Sequence, residues 1–250
     1  MTNGRVVVVT GGSRGWGRAI CLGYAEPGTT VVVNFAHDAE AAEATAAEVT
    51  ERGAECVLVQ GDVGTRQGIS AILDALRPLG RLDVLVHNAF LQATAHPLEI
   101  EEPLFDDVMN VGPKALLSLL REGAELFPAE GGHVVCTLSL ATRRIFNKRG
   151  TDYFPMAVAK AALEVCVRYL AVDLAPRSVT VNGVAAGYIA TENMMADELE
   201  GFRRAISSKT PLSRIASTEE VADVVKFLGS TQGGWVTGQV VVADGGFSLI

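Results

Sequence analysis

The chain has 250 residues, enough for one domain built around a single sizeable core. Apolar residues make up 48%, charged residues only 20%, and there are 26 glycines, a composition that excludes a disordered or fibrous protein. A formal net charge of −8 argues against nucleic acid as a partner, because phosphate binding needs a basic face. No apolar run reaches the roughly 18 residues of a membrane span, so no membrane association is expected. Cys21, Cys56, Cys136 and Cys166 are scattered without CxxC spacing or a histidine cluster. They read as reduced thiols of a cytoplasmic protein that needs no metal. The chain runs at once into the strand-like Arg5–Thr10, so no signal peptide is expected before the fold.

In chain order, short β-branched runs alternate with helical patterns. Strands are predicted at Val6–Val9, Thr30–Val33, Cys56–Val59, Val84–Val86, His133–Cys136, Val179–Val181 and Val240–Val242. Several are continuous apolar stretches, as parallel strands covered on both faces require. Ala- and Glu-rich segments such as Asp38–Arg52 and Lys160–Leu174 lie between them with helical periodicity. This alternation predicts right-handed βαβ crossovers, and hence one α/β domain with a doubly wound, seven-stranded parallel sheet of Rossmann type over residues 1–250.

The first strand leads into Thr10-Gly11-Gly12-Ser13-Arg14-Gly15-Trp16-Gly17, which opens a helix. Glycines there let the turn close tightly and let the backbone approach a pyrophosphate at the positive helix N-terminus. An acidic residue after the second strand would bind the ribose 2′-hydroxyl of NAD and repel a 2′-phosphate. The sequence places Asn34 at that position, with Arg14 and His37 as candidate donors to a phosphate, so NADP(H) is the expected cofactor.

The TGxxxGxG spacing resembles the fingerprint of the short-chain dehydrogenase/reductase family, and further motifs of that family follow in order. Asp62-Val63 stands where the family holds the adenine ring, and His87-Asn88-Ala89-Phe90 where it usually has NNAG. Asn110, Ser139 and Lys160 match its active-site Asn, Ser and Lys. Gly187-Tyr188-Ile189-Ala190-Thr191 resembles its PGxxxT loop, whose counterparts here, Ile189 and Thr191, would fix the nicotinamide carboxamide. Gly238-Gln239 and Asp244-Gly245-Gly246 resemble its C-terminal GQ and DGG. Phe90 departs from the third motif's Gly and Ala186 from the usual Pro, both beside the cofactor.

Most members carry Tyr-x-x-x-Lys, but the position four before Lys160 is Met156, which cannot donate a proton. The nearest tyrosine is Tyr153, giving Tyr-x6-Lys, a spacing that resembles the enoyl-thioester reductases of the same superfamily. Ala159-Lys160-Ala161-Ala162-Leu163-Glu164 and Arg168-Tyr169-Leu170-Ala171 extend that likeness. Seven helical residues turn through about 700°, so i and i+7 share a face, and moving the phenol shifts it along the axis. An enoyl reductase delivers hydride to Cβ, two carbons from the thioester carbonyl carbon, and stabilises an enolate oxygen farther off, which a displaced phenol suits. Pro155 is comfortable in a first helical turn, which would leave Tyr153 pre-helical, and the alternative to a functional Tyr153 is one that only packs in a loop.

The resemblance therefore implies an NADPH-dependent enoyl-thioester reductase acting on a substrate carried by acyl carrier protein or CoA. Two alternatives stand beside it: a carbonyl reductase of 3-oxoacyl type, and a catalytically degenerate nucleotide-binding protein. Tyr153 would hydrogen-bond the substrate carbonyl, Lys160 would hold the nicotinamide ribose, and Ser139 would be secondary. Asn110 would support Lys160 through water, or else mark a helix kink beside Gly112-Pro113. In relatives the segment 191–210 is a substrate lid. Here Met195, Leu199, Phe202 and Ile206 recur at helical spacing, which equally suits a core-facing helix. By resemblance the protein is a homotetramer sharing the helices at Pro113–Phe127 and Pro155–Ala175.

Overall fold

A computed structural model describes residues 4–145, 153–192, 194 and 199–250. The elements follow the alternating pattern: β1 Arg5–Val9, α1 Gly15–Tyr24, β2 Thr29–Phe35, α2 Ala39–Glu51, β3 Glu55–Gln60, α3 Arg66–Leu76, β4 Val84–His87, α4 Glu102–Met109. A π-helical turn at Asn110–Lys114 then leads into α5 Ala115–Gly123. The chain continues through β5 Gly132–Ser139, α6 Phe154–Leu174, β6 Val179–Ala186, α7 Glu200–Ser207, α8 Thr218–Leu228 and β7 Val240–Ala243. All seven strands pair in parallel in the order β3-β2-β1-β4-β5-β6-β7. The Rossmann-type sheet expected from the strand–helix alternation is the fold.

Side-chain alternation sorts β1 between two cores. Val6 and Val8 join one cluster with Ile72 and Leu73 of α3, Leu116 and Leu119 of α5, and Leu163 and Val167 of α6. Val7 and Val9 join the other, with Ile20 of α1 and Val221 and Val225 of α8. Successive residues of a strand face opposite sides, so an all-valine strand is what a sheet covered by helices on both faces requires. Side chains also set the helix starts. Asp38 accepts from the Ala41 N–H, Thr65 from the Gly68 N–H, and Ser217 with Glu220 forms a capping box on α8.

The sheet order reverses at β1, whose neighbours β2 and β4 lead their crossovers to opposite sides. This switch point opens a crevice at the carboxyl ends of the strands, where α/β proteins of this topology bind their ligands. Two boundaries differ from the sequence-based expectation in ways that matter there. Helix α6 starts at Phe154, six residues before Lys160, because Pro155 fits its first turn. Strand β2 runs through Asn34 to Phe35, held by the pairs Asn34↔Val59 and Phe35↔Gln60 with β3.

Candidate active site

The glycine loop is closed from beneath by β4. Thr10 Oγ1 accepts the backbone N–H groups of Asn88 and Ala89 at 2.9 and 3.0 Å. The Asn88 side-chain amide donates back to the Thr10 and Gly11 carbonyls, both at 3.0 Å. A Cβ on Gly17 would lie 2.0 Å from the Gly11 carbonyl oxygen, so only glycine lets α1 start this close to the loop. Ser13 is anchored as well, its carbonyl accepting the Thr45 hydroxyl of α2 at 2.9 Å.

Asn34 does not stand after the second strand, as the sequence suggested. It lies within β2 rather than after it, is 1% exposed, and its side chain turns to backbone. Its amide donates to the carbonyls of Val59 and Gly61 at 3.2 and 2.8 Å, and its Oδ1 accepts the Gly11 N–H at 3.4 Å. Asn34 thus ties the glycine loop to the end of β3. Beyond the strand, His37 is exposed and follows Ala36. The Arg14 guanidinium stands 3.9 Å from the carboxylate of Asp38, the residue that caps α2.

A dinucleotide fits this loop. The first N–H groups of α1 carry no side-chain cap, since Arg14 at the N-cap position makes no such bond, and they remain for an anion. Gly15, at φ 55°, would aim a Cβ at nothing nearer than Thr191 Cγ2 and Glu192 Oε2, both at 3.7 Å. The loop after β6 therefore faces the glycine loop across a narrow cleft. Trp16 packs on the same core face as Ile189. Ile189 bridges to Ala216, and the Thr191 N–H donates to the Ile189 carbonyl at 2.8 Å. At the adenine end, Val63 is buried in the core. The exposed Asp62 folds its carboxylate onto the Gly64 N–H at 2.9 Å.

Lys160 projects from α6 into the floor of the site and is 5% exposed. Its Nζ donates to the Thr137 carbonyl at 2.6 Å and to Thr137 Oγ1 at 3.4 Å. Burial pulls its ammonium down to about 8. Ser139 ends β5, and its Oγ accepts the Ala141 N–H at 3.2 Å. Tyr153 is the N-cap residue of α6, half-buried, and bridges to Ala95. Met156 lies one helical turn before Lys160 and lines, with Phe90, Ala159 and Leu163, a cavity of about 10 Å³ beside it. Asn110 begins the π-helical turn, and its Oδ1 accepts Lys114 Nζ at 2.9 Å. The kink falls at Gly112, where a Cβ would come within 3.3 Å of Ala159, so glycine lets the turn pack against α6 beside Lys160.

Two residues beside Lys160, Thr137 and His87, were given no role from the sequence. Thr137 could have been found by alternation, since it lies two residues before Ser139 and shares its face of β5. His87 is fully buried, its Nε2 3.0 Å from the Gly112 carbonyl oxygen and its Nδ1 without a hydrogen-bond partner. Desolvation, followed by the Lys160 charge, holds it neutral, with its pKa down to about 3. On the far side of the loop after β6, Tyr188 packs edge-on against Phe202 of α7 and Phe247, at 5.6 and 5.5 Å between centroids. Of the lid stripe, Ile206 is buried and Phe202 packs against the core, Leu199 is half-buried, and Met195 lies outside the described residues. A larger cavity of about 530 Å³ lies behind Tyr188, bounded by Leu212, Arg214 and Phe247. Lys160 is not among its walls. We place the candidate chemistry at Lys160, where the glycine loop, β5 and α6 converge.

The family described as enoyl-(acyl carrier protein) reductase matches residues 11–248. Among individual proteins, the chain is 34% identical to 1-cyclohexenylcarbonyl-CoA reductase of Streptomyces collinus, covering 98% of this chain and 88% of that one. It is 31% identical to versicolorin reductase 1 of Aspergillus parasiticus, covering 98% and 96%. Among solved structures, the angucycline C-6 ketoreductase LanV with bound NADP superposes with a TM-score of 0.88 at 30% identity, covering 98% and 96%. A short-chain dehydrogenase/reductase from Serratia marcescens reaches 0.89 at 30% identity, covering 99% of each.

Proposed function

The chain belongs to the short-chain dehydrogenase/reductase family of NAD(P)-dependent oxidoreductases, and within it we propose that it reduces the carbon–carbon double bond of an enoyl thioester with NADPH. The observation that carries this reading is the start of α6. Met156 occupies the position one turn before Lys160, and the phenol of Tyr153 stands at the N-cap of the same helix. The name of the Streptomyces collinus relative, a reductase of an α,β-unsaturated acyl-CoA, supports it.

The backbone of Gly11–Gly17 would hold the pyrophosphate, and Asp62, the Val63 backbone and Asn88 would border the adenosine. Arg14 and His37 would meet a 2′-phosphate, Ile189 and Thr191 the carboxamide, and Lys160 the ribose hydroxyls. Nicotinamide, when bound, would supply a hydride to Cβ of the substrate. Tyr153 would donate its phenolic hydrogen bond to the thioester carbonyl oxygen, where the electron pair displaced from the double bond would gather, and a proton from water would then add at Cα. The Lys160 ammonium stabilises that oxyanion from below, and its low-dielectric surroundings strengthen the effect. Ser139, at the end of β5, supports the carbonyl, and Asn110 braces the turn against α6.

Carbonyl reduction is the second reading. It is favoured by the ketoreductases among the relatives and by Ser139, which stands where ketoreductases use a hydroxyl on the substrate carbonyl. NADPH oxidation measured with crotonyl-CoA beside acetoacetyl-CoA separates the two. Turnover of crotonyl-CoA alone is expected. Turnover of acetoacetyl-CoA alone would move the assignment to the carbonyl, and turnover of neither would leave only nucleotide binding.

A further inference from the structure

Among the described residues, Lys160 is a cation without a carboxylate partner. Two protein acceptors serve it, the carbonyl and hydroxyl of Thr137 on β5, while an ammonium carries three donors. A further partner is a ring: Lys160 Nζ lies 5.5 Å from the centroid of Phe90, within the range at which an aromatic face attracts a cation. Phe90 follows β4 at the position where the family's motif has glycine, and a glycine there would offer the lysine nothing. Phe90 itself is 53% exposed while Lys160 beneath it is 5% exposed, so the ring shields the ammonium from solvent. The cavity that Phe90 and Met156 share beside Lys160 is about 10 Å³, room for one water at most.

We propose that Phe90 is a positioning residue for Lys160: its aromatic face holds the ammonium charged and in place on the flank where Met156 offers no hydroxyl. The chemistry distinguishes this from simple burial. An aliphatic side chain of similar bulk would keep water away and thereby disfavour the charge, whereas the negative face of a ring favours it. Phe90 therefore offsets part of the desolvation that lowers the Lys160 pKa to about 8.

The other titratable groups around Lys160 leave the measurement clean. His87 from β4 is held down to about 3 and the Cys136 thiol from β5 is pushed up to about 12, both by burial, so both stay neutral near pH 8. Lys114, on the turn packed against α6, and Asp106 and Asp107 of α4 are exposed, and Tyr153 stands at the start of α6 itself.

The test titrates the Lys160 side-chain resonance by NMR in the full chain carrying isotope-labelled lysine, with the signal assigned by its loss in Lys160→Arg. Phe90→Leu keeps the bulk and removes the ring, and trifluorophenylalanine at 90 keeps the ring's shape while cancelling most of its negative face. The charged form loses support in both, so the Lys160 pKa should fall by about half a unit. Phe90→Tyr should restore the original value. If Lys160 titrates at the same pH in the trifluoro protein as in the unmodified chain, the proposal is overturned, even if Phe90→Leu fails to fold. The measurement needs neither substrate nor cofactor, so its outcome is independent of the enoyl reading.

Discussion

At the scale of single residues, the site turns on which phenol faces Lys160. Met156 brings a thioether to the place one turn before the lysine, and Tyr153 stands at the N-cap with its backbone outside the regular helix, at φ −74° and ψ 23°. A donor at that point starts nearer the N-terminal end of α6 than one at 156 would. If Tyr153 acts as proposed, its replacement with Phe removes one oxyanion donor, a loss that typically costs about 10²–10³ in rate. We therefore expect kcat for enoyl reduction to fall by up to that factor, with the dissociation constant for NADPH nearly unchanged, as read by steady-state kinetics and nucleotide fluorescence. Wild-type turnover by Tyr153→Phe on every accepted substrate would defeat the assignment. The spacing of Tyr153 and Lys160 was legible in the sequence, as was the pre-helical setting that Pro155 imposes. The hold of Thr137 and Phe90 on Lys160 was not, because it joins β4, β5 and α6, whose register only the folded sheet defines.

At the scale of elements, the glycine loop is held by the strands beside it. Asn88 of the β4 loop and Asn34 of β2 direct their amides onto the loop or its neighbours, so the backbone is organised before any ligand arrives. The glycines themselves were legible because tight turns and close helix approach admit few other residues. Asn34 misled for a physical reason. Its polarity suggested a surface position after the strand, but buried amides are stable when every group is bonded, and three backbone partners satisfy this one. With Asn34 turned inward, the nucleotide-facing surface beyond β2 consists of Ala36, His37 and Asp38 opposite Arg14. Asp38 is engaged by the Ala41 N–H and by Arg14, which offsets part of its charge. NADPH should therefore give the higher kcat/KM of the two nucleotides. His37→Asp, which adds a carboxylate beside a 2′-phosphate, should swing the ratio toward NADH. A clear advantage for NADH in the unmodified protein would refute the preference.

At the scale of the whole molecule, the seven strands were readable because a strand buried on both faces must be apolar at successive positions, as β1 and β4 are. What covers the outer helices was less visible, and exposure now addresses it. The core face of α6 carries Leu163, Val167, Ala171 and Leu174. Its outer face carries a second stripe, Val165, Tyr169 and Val172, at 49%, 77% and 77% exposure, and Leu117 of α5 is 40% exposed. Positions i, i+4 and i+7 share one side of a helix, so the stripe forms one apolar strip suited to an interface. A two-fold axis through such a helix pairs the patch with itself. A tetramer of closed symmetry needs a second, different interface, and Trp235, Leu212 and Leu249 supply exposed apolar surface elsewhere, at 100%, 64% and 84%. We therefore expect a homotetramer of the 26.3 kDa chain, with α5 and α6 at one interface. Light scattering at micromolar concentration should give about four times the chain mass, and Tyr169→Asp, which places a charge in the middle of the α6 stripe, should reduce it to a dimer held by the other surface. A monomer mass for the unmodified protein would refute the assembly. A tetramer that survives both Tyr169→Asp and Val172→Asp would remove α6 from the interface.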